Sequence, residues 1–366
     1  MTWLSLPLTM FSERKIIRVA LFILPVTLLL LVVSVSSVYS VPFISKETEL
    51  NMGRSADNEV VQKYGIYQDK ALQLYVNEIG QTLVSKLVNK EFPKFFFKLV
   101  DSSEINAFAL PGGYVYVTRG LLAALNSEAE LASVIGHEIG HVTLHHGVKM
   151  MIRSIGSQIL SIGGAIASPK NAGQWLMVSS AMFQQINMGY GREAELESDA
   201  LGMMNASDAG YQPVGMVKFL KNLRKQEIMS GHAYHSFQAS HPETKERIVK
   251  AGQMASSLSR KYSDLRKNQN SYLTRLQGLV YGGKKHSRDT RRYKPKHLDI
   301  YRVQAGDTLE SIAIKELGDK RHALEIAVIN GRKENTPFKP NLILKIIKDG
   351  VYHPEKSLQL SPEPAS

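Results

Sequence analysis

The chain has 366 residues, 43% of them hydrophobic, enough to fill one sizeable core and leave room for a smaller second module. It carries no cysteine, which excludes disulfides, thiolate metal sites, cysteine nucleophiles and a lipid-modified N-terminal cysteine, so any metal must be held by imidazole and carboxylate. With 45 Lys and Arg against 33 Asp and Glu, the net charge of +12 favours anionic membranes, cell-wall polymers or nucleic acid without choosing among them.

Arg14, Lys15 and Arg18 precede an uncharged, largely apolar run from about Val19 to Val38, long enough to cross a bilayer as a helix. The basic flank lies on the N-terminal side and Glu47 and Glu49 follow the run, so the positive-inside bias keeps the first residues cytoplasmic and exports the rest. Residues 1–43 therefore read as a single-pass inner-membrane anchor with the bulk of the chain in the periplasm. Val38 and Ser40 before Val41 also fit a cleavage site, and a removable signal peptide is the rival reading. Export in either form leaves nucleic acid without a role as partner.

Residues 44–283 carry a mixed, mostly helical pattern. Val60, Tyr64, Leu72, Tyr75, Val76, Ile79 and Leu83 recur at helical spacing and predict one or two packed helices between Asn51 and Leu87. Phe95–Val100 predicts a strand, and Pro111-Gly112-Gly113 a turn entering a second strand over Tyr114–Val117. Helix dominates again from Ser127 to Gln253, with Pro169, Pro213 and Pro242 at element ends. Two apolar runs, Ile159–Ala167 and Trp175–Met182, are each too short to span a membrane and predict helices shielding a cleft. A basic stretch rich in Lys and Arg marks a linker over 284–299, residues 300–348 regain apolar periodicity as a small second domain, and 349–366 read as a disordered tail.

The chemistry concentrates in His137-Glu138-Ile139-Gly140-His141. Ser127 and Glu130 predict a capping box at the start of the helix that carries it, and Gly147 a stop. His137 and His141, four apart, project from one face as two nitrogen ligands of a tetrahedral zinc require. Glu138 falls within the apolar stripe of Leu131, Val134, Ile135 and Val142, where a carboxylate is costly to bury unless it is used. In a metallopeptidase it is the general base that takes a proton from the metal-activated water and passes it to the leaving amine. His145 and His146 lie a further turn along and read as supporting residues. A third ligand must come from elsewhere, and Glu195 and Asp199, four apart on one helical face, repel each other unless cations intervene. Zinc on Glu195, with Asp199 accepting the other ring N–H of a ligand histidine, removes that conflict. Spacing alone leaves the choice among Glu193, Glu195 and Glu197 open.

Asn106-Ala-Phe-Ala-Leu-Pro-Gly-Gly-Tyr-Val-Tyr-Val117, His137-Glu-Ile-Gly-His141, Arg192-Glu-Ala-Glu195-Leu-Glu-Ser-Asp199 and His241-Pro-Glu-Thr-Lys-Glu-Arg247-Ile resemble, in order and spacing, the gluzincin family that includes CAAX prenyl proteases, HtpX and the periplasmic chaperone-proteases. The resemblance covers about 44–283 and is nearer the soluble periplasmic branch, since only one convincing apolar span is present. It implies one Zn2+ per chain on His137, His141 and Glu195, Asp199 as the partner behind a ligand, and His241 and Arg247 reaching the active site. His241 then either fills the open zinc position at rest or stabilises the oxyanion; a plain helix-start residue before Pro242 is the competing reading. The resemblance further implies that Gly113, Tyr114, Val115 and Tyr116 lie on an edge strand to which an extended, unfolded or misfolded protein adds as a further strand, the competing reading being an ordinary core strand.

Tyr301-Arg-Val-Gln-Ala-Gly306-Asp307-Thr308-Leu309 and Ile329-Asn330-Gly331 resemble the opening and close of a LysM domain, with Pro340-Asn341 in the place of the usual Pro-Gly. That resemblance implies a peptidoglycan-type glycan groove at Gly306, Asp307, Thr308 and Asn330, although such modules also serve as protein contacts. The expectation is an α+β fold: a mostly helical zincin-type endopeptidase domain with a small sheet, plus a small α+β LysM-like domain, acting on misfolded envelope proteins. A non-proteolytic periplasmic chaperone or wall-binding scaffold is the alternative.

Overall fold

The computed structural model describes residues 45–88, 92, 94–155, 189–230, 235–242, 245–283, 295–333, 337–339 and 341–354. The expected anchor, the two apolar runs within 156–188, most of the basic linker and the end of the tail lie outside them. No helix among the described residues is long and apolar enough to cross a membrane.

The helical pattern after residue 45 resolves into two helices, α1 (Lys46–Tyr64) and α2 (Lys70–Ser85). They part at Gly65, whose φ of +69° a side chain would resist, and Asp69 restarts the helix by accepting from Leu72 N. Three strands follow: β1 (Phe96–Val100), β2 (Ala107–Leu110) and β3 (Tyr114–Thr118), in the order β1-β3-β2 with β1 parallel and β2 antiparallel to β3. A tight turn over Pro111–Gly113 joins β2 to β3, and Gly113 is required there, because its φ is +94° and a Cβ would lie 2.5 Å from Lys94 O.

The edge-strand expectation for Gly113–Tyr116 is corrected by this order. β3 is the middle strand, hydrogen-bonded on both sides and buried along its whole length, so no peptide can pair with it. Tyr116 donates to Asp57 at 2.6 Å and Tyr114 stacks on Phe96. The outer side of β1 is blunted by Gln73, whose amide accepts from Leu99 N and donates to Leu99 O as a neighbouring strand would.

Next come α3 (Arg119–Ala124), α4 (Glu128–Thr143), α5 (His146–Ile155), α6 (Arg192–Asp208), α7 (Val214–Ser230), α8 (His235–Ser240), α9 (Lys245–Lys261) and α10 (Gln269–Arg275). α4 runs through the centre, with every residue from Glu128 to Val142 buried. Ser127 caps it by accepting from Glu130 N, a cap that contributes about 1 kcal/mol, while the Glu130 carboxylate accepts from Asn126 N rather than closing the expected reciprocal box on Ser127. The helix stops before Gly147: the break comes at His145, in the left-handed region at φ +55°, and Gly147 already belongs to α5.

The last part is a βααβ unit with one added strand: β4 (Val280–Tyr281), β5 (Lys296–Arg302), α11 (Leu309–Leu317), α12 (Ala323–Ile329) and β6 (Ile343–Asp349), the antiparallel sheet running β4-β5-β6. Thr308 and Ser311 form a full capping box on α11. Val303, Leu309, Ile312, Ile326 and Leu344 share a small core. The expected boundaries shift: Lys296–Asp299, placed in the linker, belongs to β5, and β4 enters the same sheet from before the linker. Leu298, Ile329, Ile343 and Ile347 also join the cluster that holds Leu131, Val134 and Ile135 of α4, so the C-terminal unit completes the main core.

Candidate metal centre and active site

Two helices cross at the distance that only small residues allow. A Cβ on Gly136 of α4 would lie 2.8 Å from Gly202 O, one on Gly202 of α6 would lie 2.5 Å from His137 N, and one on Gly140 would lie 3.1 Å from Ser198 Cα. No motif in the sequence marks these glycines; Gly136 and Gly140, four apart inside a helix where glycine is costly, are the available signal. The close crossing brings His137, Glu138 and His141 of α4 against Glu195 and Asp199 of α6.

His137 Nε2 lies 3.0 Å from His141 Nε2 and 3.2 Å from His241 Nδ1. Glu195 Oε1 is 3.0 Å from His241 Nδ1 and 3.4 Å from His141 Nε2, and Oε2 is 3.4 Å from His137 Nε2. Three imidazole nitrogens and a carboxylate thus converge in a buried cluster. All four donor atoms lie within 4.8 Å of one another, and the separations of 3.0–3.4 Å are those of ligands about 2 Å from a shared centre, the bond length of zinc to imidazole and carboxylate. The residues therefore fit a metal of the zinc type. His241, after α8, sits at the fourth corner of the cluster rather than at its margin.

The remaining ring nitrogens of His137 and His141 face partners behind them. His137 Nδ1 lies 2.9 Å from Asp199 Oδ1, and His141 Nδ1 lies 3.0 Å from His146 Nδ1, whose Nε2 reaches Glu197 at 3.1 Å. Tyr190 stacks on the His141 ring, centroids 3.9 Å apart, a contact that no spacing in the sequence announces. His145 instead faces Glu49 at 2.9 Å. Arg247 donates to both Asp199 oxygens at 2.8 Å and lies 2.7 Å from Glu195 Oε2. It also donates to the carbonyls of His241 and Pro242. Arg247 thus reaches the cluster as a clamp behind the carboxylates and the His241 loop, not as a group facing an incoming substrate.

Burial opposes every charge here, and the neighbours decide the outcome. Burial works against the His137 imidazolium, but Glu195 and Asp199 outweigh it and raise its pKa to about 9. His141 is lowered by burial, with the charges of His137 and His241 adding to the effect. Glu195 and Asp199 are held low against the pull of burial, Glu195 chiefly by His241 and His137, Asp199 chiefly by Arg247. Glu138 is raised by burial. Both of its oxygens are fully buried without a hydrogen-bond partner among the described residues, Oε1 lying 3.4 Å from His241 Nε2.

The sequence profile of peptidase family M48 matches residues 70–255, just over half of the chain and the whole of this cluster. The chain belongs to peptidase family M48. It is similar to the beta-barrel assembly-enhancing protease of Escherichia coli, with 29% identity over 221 residues, 57% of this chain and 44% of that protein. A putative beta-barrel assembly-enhancing protease of Vibrio cholerae is 32% identical over 197 residues, 52% of this chain and 40% of that one. The mitochondrial metalloendopeptidase OMA1 of Arabidopsis thaliana is 30% identical over 149 residues, 41% and 29%. The match spans less than half the length of each of these relatives. His137, Glu138, His141, Glu195, Asp199, His241 and Arg247 all lie within the residues that the family matches.

In the C-terminal unit the four expected groove residues separate. Asp307 and Thr308 line an open cleft of about 530 Å³ with Leu309, Lys320, Arg321 and Phe338. Gly306 shapes the loop at φ +84° and does not line the cleft. Asn330 is corrected from ligand contact to scaffold: it is buried, and its amide bonds both Lys345 N and Lys345 O at 2.8 Å.

Proposed function

We propose that the chain is a zinc-dependent endopeptidase in which His137, His141 and Glu195 hold one zinc and Glu138 is the general base. The observation that carries this is Glu138: a carboxylate wholly inside the protein, with neither oxygen hydrogen-bonded among the described residues, beside four residues whose donor atoms lie within 4.8 Å of one another. Bound zinc would act as a Lewis acid, polarising the scissile carbonyl and lowering the pKa of the attacking water. Glu138 is placed to take that water's proton and return it to the leaving amine. His241 completes a four-donor set, the arrangement of a closed, resting site, so turnover requires the His241 side chain to leave and make room for substrate. Arg247 holds Asp199, Glu195 and the His241 carbonyl together and so keeps the ligands aligned.

The substrates are unfolded or misfolded envelope proteins, consistent with the basic, exported reading of the N-terminal sequence and with the bacterial relatives being named beta-barrel assembly-enhancing proteases. Ala109 and Leu110 of β2 line a small cavity with His141 and Tyr190. The C-terminal unit is LysM-like and takes a glycan of the peptidoglycan type in the cleft at Asp307 and Thr308. Residues 1–43 place the chain at the inner membrane, facing the periplasm. The deciding experiment is Glu138→Gln in the full chain: metal content stays at the wild-type level while casein cleavage falls by about 10²–10⁴-fold. Retained turnover removes Glu138 as the base.

A further inference from the structure

We propose that Lys345 is a positioning residue for the catalytic helix: from the C-terminal sheet it holds the α3–α4 corner from which α4 starts, making the C-terminal unit a working part of the peptidase. Lys345 is 0% exposed although it belongs to a residue type almost never fully buried. Its Nζ donates to Ala123 O at 2.6 Å and Leu125 O at 2.7 Å, carbonyls at the end of α3 that the helix itself leaves without partners. The next residue, Asn126, donates its N–H to Glu130 of α4, which is itself buried. Ser127 caps the helix immediately after.

On the other side Lys345 cannot drift, because its own N–H and C=O are both bonded to the Asn330 amide. The same seam is tied by Arg119 of α3, which donates to Val280 O at 3.0 Å and Gly283 O at 3.1 Å while bonding Asp101. Burying an amine is unfavourable unless its donors are met, and here they are met at the one turn that sets where α4 begins. His137, Glu138 and His141 ride on α4, whereas Glu195 and Asp199 ride on α6. A small tilt of α4 about its first turn changes every separation across that crossing, and catalytic geometry tolerates well under 1 Å of such error.

The test uses full-length Lys345→Met, which keeps the volume and removes the donor, beside Leu298→Ala, which weakens the same seam without touching the corner. At a temperature well below both unfolding midpoints, Lys345→Met is expected to keep its bound metal and its KM for a casein-derived peptide. Its kcat should fall at least 10-fold, and amide exchange at Leu125–Ser127 should accelerate. Leu298→Ala, with a comparable drop in Tm, should keep kcat within twofold. If Lys345→Met does not fold, Lys345→Gln, which retains one donor, is expected to fold and to show the same direction in kcat and exchange. Unchanged exchange at the corner, or an equal loss of kcat in Leu298→Ala, overturns the assignment. The exchange measurement stands whether or not casein is a good substrate, so a wrong proteolytic reading and a wrong role for Lys345 are told apart.

Discussion

The α4–α6 crossing and the seam between α4 and the C-terminal sheet both carry charge into the interior, and they treat it in opposite ways. At the seam the ionisable groups are met: Lys345 Nζ by two carbonyls, its backbone by Asn330, the Glu130 carboxylate by Asn126 N. At the crossing Glu138 has no hydrogen-bond partner among the described residues, and His137 Nε2 faces ring nitrogens of His141 and His241 at 3.0 and 3.2 Å beside a carboxylate. Satisfied burial fixes a structure, whereas convergent, unsatisfied burial stores the capacity for chemistry.

Four substitutions break or sharpen that contrast. The largest effect is expected from Glu195→Ala, which removes the ligand from the second helix: metal is lost on dialysis and peptidase activity falls to background, while Glu193→Ala leaves both unchanged. Metal retained in Glu195→Ala, or lost in Glu193→Ala, assigns the third ligand wrongly. Arg247→Lys comes next, since one ammonium cannot replace two parallel bonds to Asp199; metal affinity is expected to drop about 10–100-fold by competition with a chelator. Gly202→Ala forces a methyl onto the His137 backbone and should cost about 1–3 kcal/mol in denaturant unfolding, together with weaker metal binding. A wild-type midpoint in that variant would mean the helices can separate freely.

The last effect is confined to the seam and is a pH dependence of stability. Burial lowers Lys345 from 10.5 to about 7. Between those two pH values the unfolded chain binds a proton that the folded chain does not, so this group makes stability rise with pH across the window, and below about pH 7 its penalty is complete. Urea unfolding of wild type minus Lys345→Met should show that positive slope between pH 7.5 and 9.5; a flat difference contradicts it.

The sequence made most of the centre legible because a helical spacing of four fixes which side chains share a face. His137 with His141 and Glu195 with Asp199 could be read before any coordinates, and the structure brings all four together. What it concealed depends on tertiary approach. The glycines that let α4 and α6 touch and Tyr190 flat on His141 come from segments far apart in the chain, whereas His241 at the fourth corner was reached through the family resemblance and not through spacing. The run Tyr114–Val117 looks the same at an edge or a centre, since only pairing order decides, and β1 and β2 pair on both sides of it. Asn330 sits where a groove residue was expected but spends its amide on Lys345, a partner that no local pattern names. The seam was hidden for the same reason: the basic stretch before it reads as a tether, while Leu298 and Ile347 pack into the main core.

The central claim, that this M48 chain cleaves peptide bonds through a metal held at the α4–α6 crossing, is tested most directly by metal analysis joined to casein cleavage on the purified full chain. One zinc per chain is expected, with cleavage abolished by a chelator, restored by added zinc, and absent from Glu195→Ala under all conditions. Cleavage that persists after the metal has been stripped, or in Glu195→Ala, would contradict it.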